Sequence, residues 1–512
     1  MFQRDQNTTI LDAENPPLNG EGGRDSQLTM LFIIGASVTI AAVLIASDGS
    51  FFNSFALIGI TVMVIVSLVR LDWGFFLFVG MVMTFDQFPP RGYESSIVGV
   101  EYFQNLKSLN FLSSVDFAVV NPLEIQLGLL FIVWFILIAL GKRVVLRHVS
   151  VWPSALLFFL WLIASFMYGM ATGGDFLPAL WELRALFYMG IMYFFVPQII
   201  QERGQLNILV WILIGAVFFK MFQGLVRILH LSFQFDGRTD VTNHEDPLFM
   251  VSLYFTMFGF YINKAKTSQK KVILWALLPT FAVFILAQRR ATYVALGIGL
   301  IVYIALLASK ERMKMLKIIA PFLVLMFIYL AAFWESDSTL ALPAQLVKSS
   351  LSNDKETAGE RYYSNLYREL ENYNLSQTIK RSPLIGIGFG KKYDQPIILP
   401  MIPFSLRDYI PHNEIYWLMV KMGAVGFFCF WLFLDSYIFY AAHLFSKMKD
   451  PYAKSICAVT IIAIFGQVIV SFVDLQLTYY RNMIFLGLMM GLLPVIQSLG
   501  ESYHEEAPTA RT

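Results

Sequence analysis

The sequence is short of charge: Asp, Glu, Lys and Arg make up only 14 % of its 512 residues, too few to clothe a soluble domain. Its formal net charge of +2 leaves no broad basic surface, so nucleic acid is excluded as a partner. Cysteine is nearly absent. Cys429 and Cys457 are the only two, and both sit in apolar stretches, where a thiol ordinarily serves as a small core residue and not as a ligand or half of a disulfide. Residues 1–27 lack the apolar centre of a signal peptide and, being polar and rich in Asn, Gly and Asp, read as a disordered tail. No stacked repeat and no inverted pair of spans is evident. What the sequence does hold is 57 % hydrophobic residues, the composition of a membrane protein.

A bilayer core about 30 Å thick needs roughly 20 apolar residues per helix. Such runs fall at approximately 28–47, 51–69, 73–86, 122–141, 152–170, 176–198, 206–229, 247–263, 272–288, 291–308, 316–334, 413–444, 454–473 and 481–498. The expected fold is an all-α polytopic membrane protein with about 12–14 transmembrane helices in a lipid bilayer. Basic residues in short loops set the orientation. KRVVLR (142–147), KAKTSQKK (264–271), KERMKMLK (310–317) and KMKDPYAK (447–454) all fall on one face if the N-terminus lies there, while the opposite connections, such as 171–175, carry few or none. Both termini are therefore expected in the cytoplasm. The organisation that follows is a tail (1–27), transmembrane helices 1–11 (28–334), a large outer loop (335–412), helices 12–14 (413–499) and a second tail (500–512). Shorter outer segments fall at 86–121 and 230–246. The loop 335–412 is too long for a mere connector and is expected to be functional. Within it, ERYYSNLYRELENYNLSQTIKR (360–381) sets Tyr362, Leu366, Leu370 and Tyr373 at helical spacing, which predicts a surface-lying amphipathic helix ending before Pro383.

Directly after that helix, RSPLIGIGFGKKYDQP (381–396) carries Gly386, Gly388 and Gly390 ahead of Lys391 and Lys392. Both nucleotide fingerprints fail here, the dinucleotide pattern by the position of its third glycine and the P-loop by its gap. The spacing predicts a tight turn of positive-φ glycines, and a turn of backbone N–H groups can still face an anion. Gln288-Arg289-Arg290 stands at an outer helix boundary with the next span beginning at once. Two guanidiniums there are costly unless paired, hydrated or used, the plain alternative being that they snorkel to lipid headgroups. Arg238 and Arg361 are predicted on the same side; Arg361 taken alone reads as a helix-surface charge. His412, in YIPHNE (409–414), stands where the outer loop re-enters the membrane, a titratable group suited to general-base work or to orienting a hydroxyl. Asn413 beside it suits an N-cap of the next helix. Glu182 and Arg184, two apart on a helix, point in different directions and need separate partners. Lys220, Arg227 and Lys421 are further charges within or at the edge of spans.

Together these segments resemble the O-antigen ligase family, which includes polysaccharide polymerases and bacterial protein O-oligosaccharyltransferases. The similarity runs in order through Arg238 with Asn243, Arg289-Arg290-Ala291 opening a span, Arg361 and Tyr367 ahead of SPLIGIGFG (382–390), and His412-Asn413 with Gly423 and Gly426. It covers roughly 175–480 and departs at Tyr367, where tryptophan is common, and at Lys421, where an acid is common. The resemblance implies a GT-C-like glycosyltransferase of the bacterial inner membrane, with 335–412 periplasmic. Its donor would be an undecaprenyl-diphosphate-linked glycan, and its acceptor a glycan, a lipid or a protein. In that scheme Arg289, Arg238, Arg361, Asn413 and the turn of Gly386, Gly388 and Gly390 bind substrate, while Arg290 and His412 carry catalysis. The arginines would neutralise the departing diphosphate, and His412 would hold or deprotonate the acceptor hydroxyl for inverting attack. No cofactor is expected. Metal independence is expected too, because the first outer loop, around Asp48-Gly49-Ser50, has one carboxylate where metal-dependent relatives of this architecture use an acidic pair. The competing reading is a transporter or flippase of lipid-linked saccharides, which calls for repeat symmetry and mid-membrane charges; basic residues gathered at one face and a large outer loop favour the enzyme.

Overall fold

The computed structural model describes Val38 and residues 51–88, 102–105, 119–142, 146–231, 241–336, 338–351 and 360–506. The expected span 28–47, apart from Val38, lies outside the described residues, as does Arg238. The chain divides into two units at Val69 and Arg70. The first holds α1 (Phe51–Val69), an apolar helix in which the Ser67 hydroxyl donates to the Met63 carbonyl at 2.7 Å, the local bond by which a hydroxyl is satisfied in hydrocarbon.

The second unit holds α2 (Leu71–Thr84), α3 (Pro122–Ala139), α4 (Trp152–Ala171), α5 (Phe176–Ile199), α6 (Arg203–His230), α7 (Asp246–Ile262), α8 (Ser268–Leu286), α9 (Arg290–Leu306), α10 (Ser309–Phe333), α11 (Leu342–Leu351), α12 (Glu360–Arg381), α13 (Glu414–Lys447), α14 (Pro451–Ser471) and α15 (Tyr480–Glu506). Among the described residues nine helices are long and apolar enough to cross a membrane, and α2, α7 and α9 are shorter apolar ones. The protein is an all-α polytopic membrane protein.

Its core is formed by α15 lying along α5 and by α14 set among α7, α9, α13 and α15. Small residues permit the first contact: a Cβ on Gly487 would come 2.3 Å from the Met189 carbonyl oxygen, and one on Gly491 would meet Val196 and Met192, the close backbone approach that drives helix association in lipid. By contrast Phe322 to Ile328 of α10 are exposed on every side, as expected of a helix facing lipid. Polar contacts gather at the two ends. At one end Arg203 pairs with Asp450 at 2.6 Å, Tyr452 donates to Gln269 at 3.0 Å and Arg147 reaches the Gln201 carbonyl at 2.8 Å. This is the end of the basic loops. The other end carries the described residues of 172–175, 287–290, 335–336, 338–351, 360–413 and 472–479.

Two elements at that second end differ from expectation. The helix α12 forms, but Leu366 and Tyr373 of its expected buried face are exposed, whereas Tyr367, Glu371, Asn374, Leu375 and Thr378 are buried. The buried stripe is mostly polar because it meets polar chain rather than lipid: Glu371 faces His412, Asn372 accepts from Asn413, Asn374 pairs with both backbone groups of Ile397, and the Thr378 hydroxyl accepts from the Asp394 amide. Helix α13 is broken at Gly423, whose φ of 64° and ψ of −172° interrupt the helical ladder. Its freed groups are met by the glycine segment. Ile387 and Gly388 donate to the carbonyls of Val420 and Lys421, and Ala424 and Val425 donate to those of Pro383 and Leu384. Irregular backbone of this kind is tolerated at membrane depth only where protein closes around it.

Candidate functional site

The corner between α8 and α9 is three residues long, and Gln288 turns it with a φ of 56°, a conformation that costs a non-glycine residue free energy and is held by its surroundings. Tyr293 ties the corner to the Ile285 carbonyl at 2.6 Å, and Thr292 donates to the Arg289 carbonyl at 2.7 Å. Arg289 is thereby the N-cap of α9 and Arg290 its first residue. Two cations at the positive end of a helix dipole are unfavourable on their own, so this terminus suits an anion. Arg290 donates to the Asn365 side chain of α12 at 3.1 Å. Arg289 acts on Asp474, which pairs with His244 at 3.1 Å and also feels Arg368. Burial raises the Asp474 carboxyl, but His244, Arg289 and Arg368 more than offset this and hold it below the usual carboxylate range.

His412 meets α12 at Glu371, further along the helix. Its backbone N–H donates to Glu371 at 2.9 Å, and its Nδ1 stands 3.2 and 3.3 Å from the two Glu371 oxygens. The Tyr367 ring meets the imidazole edge-on, with centroids 5.5 Å apart. Asn413 caps α13 through the Tyr416 amide at 3.1 Å, as its sequence position suggests. The next residue, Glu414, is buried and accepts from the amides of Gln476, Leu477 and Thr478 and from the Thr478 hydroxyl, which fixes the segment bearing Asp474 to the same corner.

Residues 364, 365, 367, 368 and 371 recur at three- and four-residue intervals, so one side of α12 presents them all. Asn365 and Glu371 are six residues apart, about 9 Å along the axis. Arg290 and His412, drawn from segments far apart in the chain, therefore both contact a single helix. His412 lines a cavity of about 390 Å³ together with Tyr363, Ser364, Tyr367, Arg368 and Pro400, with Leu366, Leu370 and Ile402; Arg289 and Arg290 are not among its lining residues. Arg368 is fixed by the Val473 carbonyl at 3.0 Å and Ser364 at 2.7 Å. Burial, with the Glu371 charge second, pushes the Tyr367 hydroxyl up to about 12. It stays a neutral donor, and it has no hydrogen-bond partner among the described residues.

The other sequence candidates fare differently. Arg361 falls in the first turn of α12, with its side chain outside the described residues. Gly386, Gly388 and Gly390 do have positive φ, at 73°, 85° and 77°. Their amides are taken up within the protein: they donate to the carbonyls of Ser382 and Lys421 and to the Glu182 carboxylate. A Cβ on Gly388 would stand 2.4 Å from the Gly169 Cα, and one on Gly390 would stand 2.5 Å from the Asp175 carbonyl oxygen. The turn packs against Gly169 and Asp175 and closes the break in α13. Beneath it Lys421 pairs with Glu182 at 2.7 Å, both fully buried. Arg184 has its own partners in Glu124 and Asn105, so the two neighbours do separate. Lys220 pairs with Asp86 at 2.6 Å, and Asp86 joins Asp246 and Glu245 around the fully buried Arg481.

Sequence reasoning missed Glu371, Arg368, Asn365, His244 and Asp474. A search of curated proteins finds no match to the chain. Residues 275–431, the stretch that carries Arg289, Arg290, α12, the glycine turn and His412, match the family model described as O-antigen ligase.

Proposed function

We propose that the protein is a membrane glycosyltransferase that moves an undecaprenyl-diphosphate-linked glycan onto an acceptor hydroxyl at the outer face of the bacterial inner membrane. One observation carries this reading: His412, Arg368 and the Tyr367 hydroxyl, which has no partner among the described residues, line one cavity, and the α9 terminus is tied to the same helix through Arg290. The donor diphosphate is both binding handle and leaving group. As its bond to the anomeric carbon breaks, negative charge grows on the phosphate oxygen, and the arginine-bearing helix terminus stabilises it. His412 takes the proton of the attacking hydroxyl, and attack opposite the leaving group inverts the anomeric centre. The arginines supply the charge that a metal supplies elsewhere, so transfer is expected to be metal-independent. A transporter is less well supported: Glu182 and Lys421 lie about two turns from the outer ends of α5 and α13, and both are capped by the packed loop at Gly390 and Lys391.

Two measurements test this. Arg290→Ala and His412→Ala are each expected to cut transfer by about 100-fold or more while the protein remains inserted and abundant; normal product from both variants would reject the site. Purified protein given the undecaprenyl-diphosphate oligosaccharide alone separates two acceptor classes. A ladder of product lengths means polymerisation, whereas reaction only on adding a lipid or protein means ligation. Either reaction is expected to proceed at an unchanged rate in EDTA, and rescue of a chelated enzyme by Mg²⁺ or Mn²⁺ would overturn metal independence.

A further inference from the structure

We propose that Glu371 is a positioning residue that fixes the ring of His412, with Nδ1 protonated and turned to the protein and Nε2 left open to the cavity. The inference rests on the reading of His412 as the base and adds to it the group that makes it one. Glu371 is 1 % exposed, and a carboxylate so deeply buried is retained only where donors satisfy it. His412 provides two: its backbone N–H at 2.9 Å and Nδ1 at 3.2 and 3.3 Å. The first bond sets where the residue sits. The second sets which nitrogen carries the proton, because a carboxylate accepts only from Nδ1–H and so assigns Nε2 as the acceptor.

The surroundings leave the ring little choice. The edge-on Tyr367 ring stands 5.5 Å away. The neighbouring Asn413–Asn372 bond, at 3.0 Å, pins the same two segments one residue further along each. With Nδ1 turned to Glu371, Nε2 is on the far side of an imidazole that lines the cavity. In the transfer step the acceptor O–H proton passes to Nε2 and the oxygen bonds to the anomeric carbon. The bond from that carbon to the phosphate oxygen breaks, and its electron pair stays on the diphosphate. The imidazolium so formed is stabilised by the Glu371 carboxylate across Nδ1–H, the logic by which a third group orients a catalytic base. Other charged or titratable groups near the ring are Arg368 and Tyr367 on α12, Tyr393, Arg407 and Asp408 from the preceding loop, and Glu414, which is held by the 476–478 amides. None of these bonds Nδ1.

The test uses the full-length purified enzyme with the undecaprenyl-diphosphate oligosaccharide and its acceptor, and follows kcat and donor KM. Glu371→Gln keeps the shape and removes the charge. It is expected to lower kcat about 10- to 100-fold with donor KM unchanged, because the ring loses the acceptor that holds its Nδ1 proton and faces the imidazolium. Glu371→Asp, which restores the charge one methylene short, is expected to recover part of kcat, again with donor KM unchanged. His412→Ala should be inactive. If Glu371→Gln keeps the wild-type kcat, or loses activity through donor KM instead, while His412→Ala is inactive, the positioning role is overturned and the base stands. If His412→Ala keeps the wild-type rate, the base itself is wrong. Should Glu371→Gln fail to fold, Glu371→Asp decides: a lowered kcat at wild-type donor KM supports the proposal, and a wild-type kcat or a raised KM overturns it.

Discussion

At the scale of single residues, the buried charges decide what the fold tolerates. Lys421 and Glu182 are both fully buried and 2.7 Å apart, and removal of one partner leaves the other desolvated and unpaired. Glu182→Ala is expected to destabilise the protein by about 3–5 kcal/mol, read as a fall in melting temperature in detergent, whereas the joint change Glu182→Leu with Lys421→Met should cost much less; equal losses would mean the pair is not the source. Asp474 behaves differently because its charge is favoured by its neighbours. With its folded value depressed, the stability it contributes is present above its unfolded pKa of about 3.9 and lost as pH falls through the folded value. Asp474→Asn should therefore melt lower than wild type at neutral pH and converge with it well below pH ~4; a deficit of constant size in acid would show that the carboxylate charge is not responsible. Such residues were only half legible in the sequence. A lysine inside an apolar run announces a buried charge, and Lys421 was singled out for it, but its partner lies on α5, far off in the chain. Glu371 carried no such signal, because a glutamate in a polar helix looks solvated until the loop that covers it is known.

The elements tell the same story one level up. Three alternating glycines were readable as positive-φ positions, since only glycine adopts that backbone without strain. What the turn does was not readable: its partner is the gap at Gly423, and apolar residues on both sides of that gap keep helical periodicity running through it. The interlocked pair predicts a sharp asymmetry among glycines. Gly388→Ala combines a φ of 85° with a Cβ 2.4 Å from the Gly169 Cα, so it should yield little folded protein by size-exclusion profile. Gly297→Ala, on α9, meets nothing within 4 Å and should be neutral or stabilising by up to about 1 kcal/mol. Comparable profiles for the two would mean the glycine segment does not close the break in α13. The position of α12 was likewise legible, but its buried side was not. Hydrophobic spacing assumes a lipid or apolar partner, and this helix instead packs a polar stripe on polar chain.

For the whole molecule, apolar run length was enough to find the helices, and basic loops were enough to sort their ends into two sets; the meeting of distant segments around α12 depends on side-chain bonds that no local pattern encodes. The sorting makes a direct prediction. Cysteine placed at Ile398, which is 88 % exposed, should react with a membrane-impermeant maleimide in intact spheroplasts, and cysteine at the exposed Lys266 only after lysis; the reverse pattern would invert the orientation and move the proposed chemistry to the wrong side of the bilayer. Both native cysteines are buried and should give little background. Because Asn365 and Glu371 belong to one rigid rod, the group that receives the leaving phosphate and the group that draws the incoming proton share a common strut. A slip of that rod by a single turn, about 5.4 Å, would silence both halves of the chemistry together, so a substitution that only shifts the seating of α12 should mimic the loss of Arg290 and His412 at once.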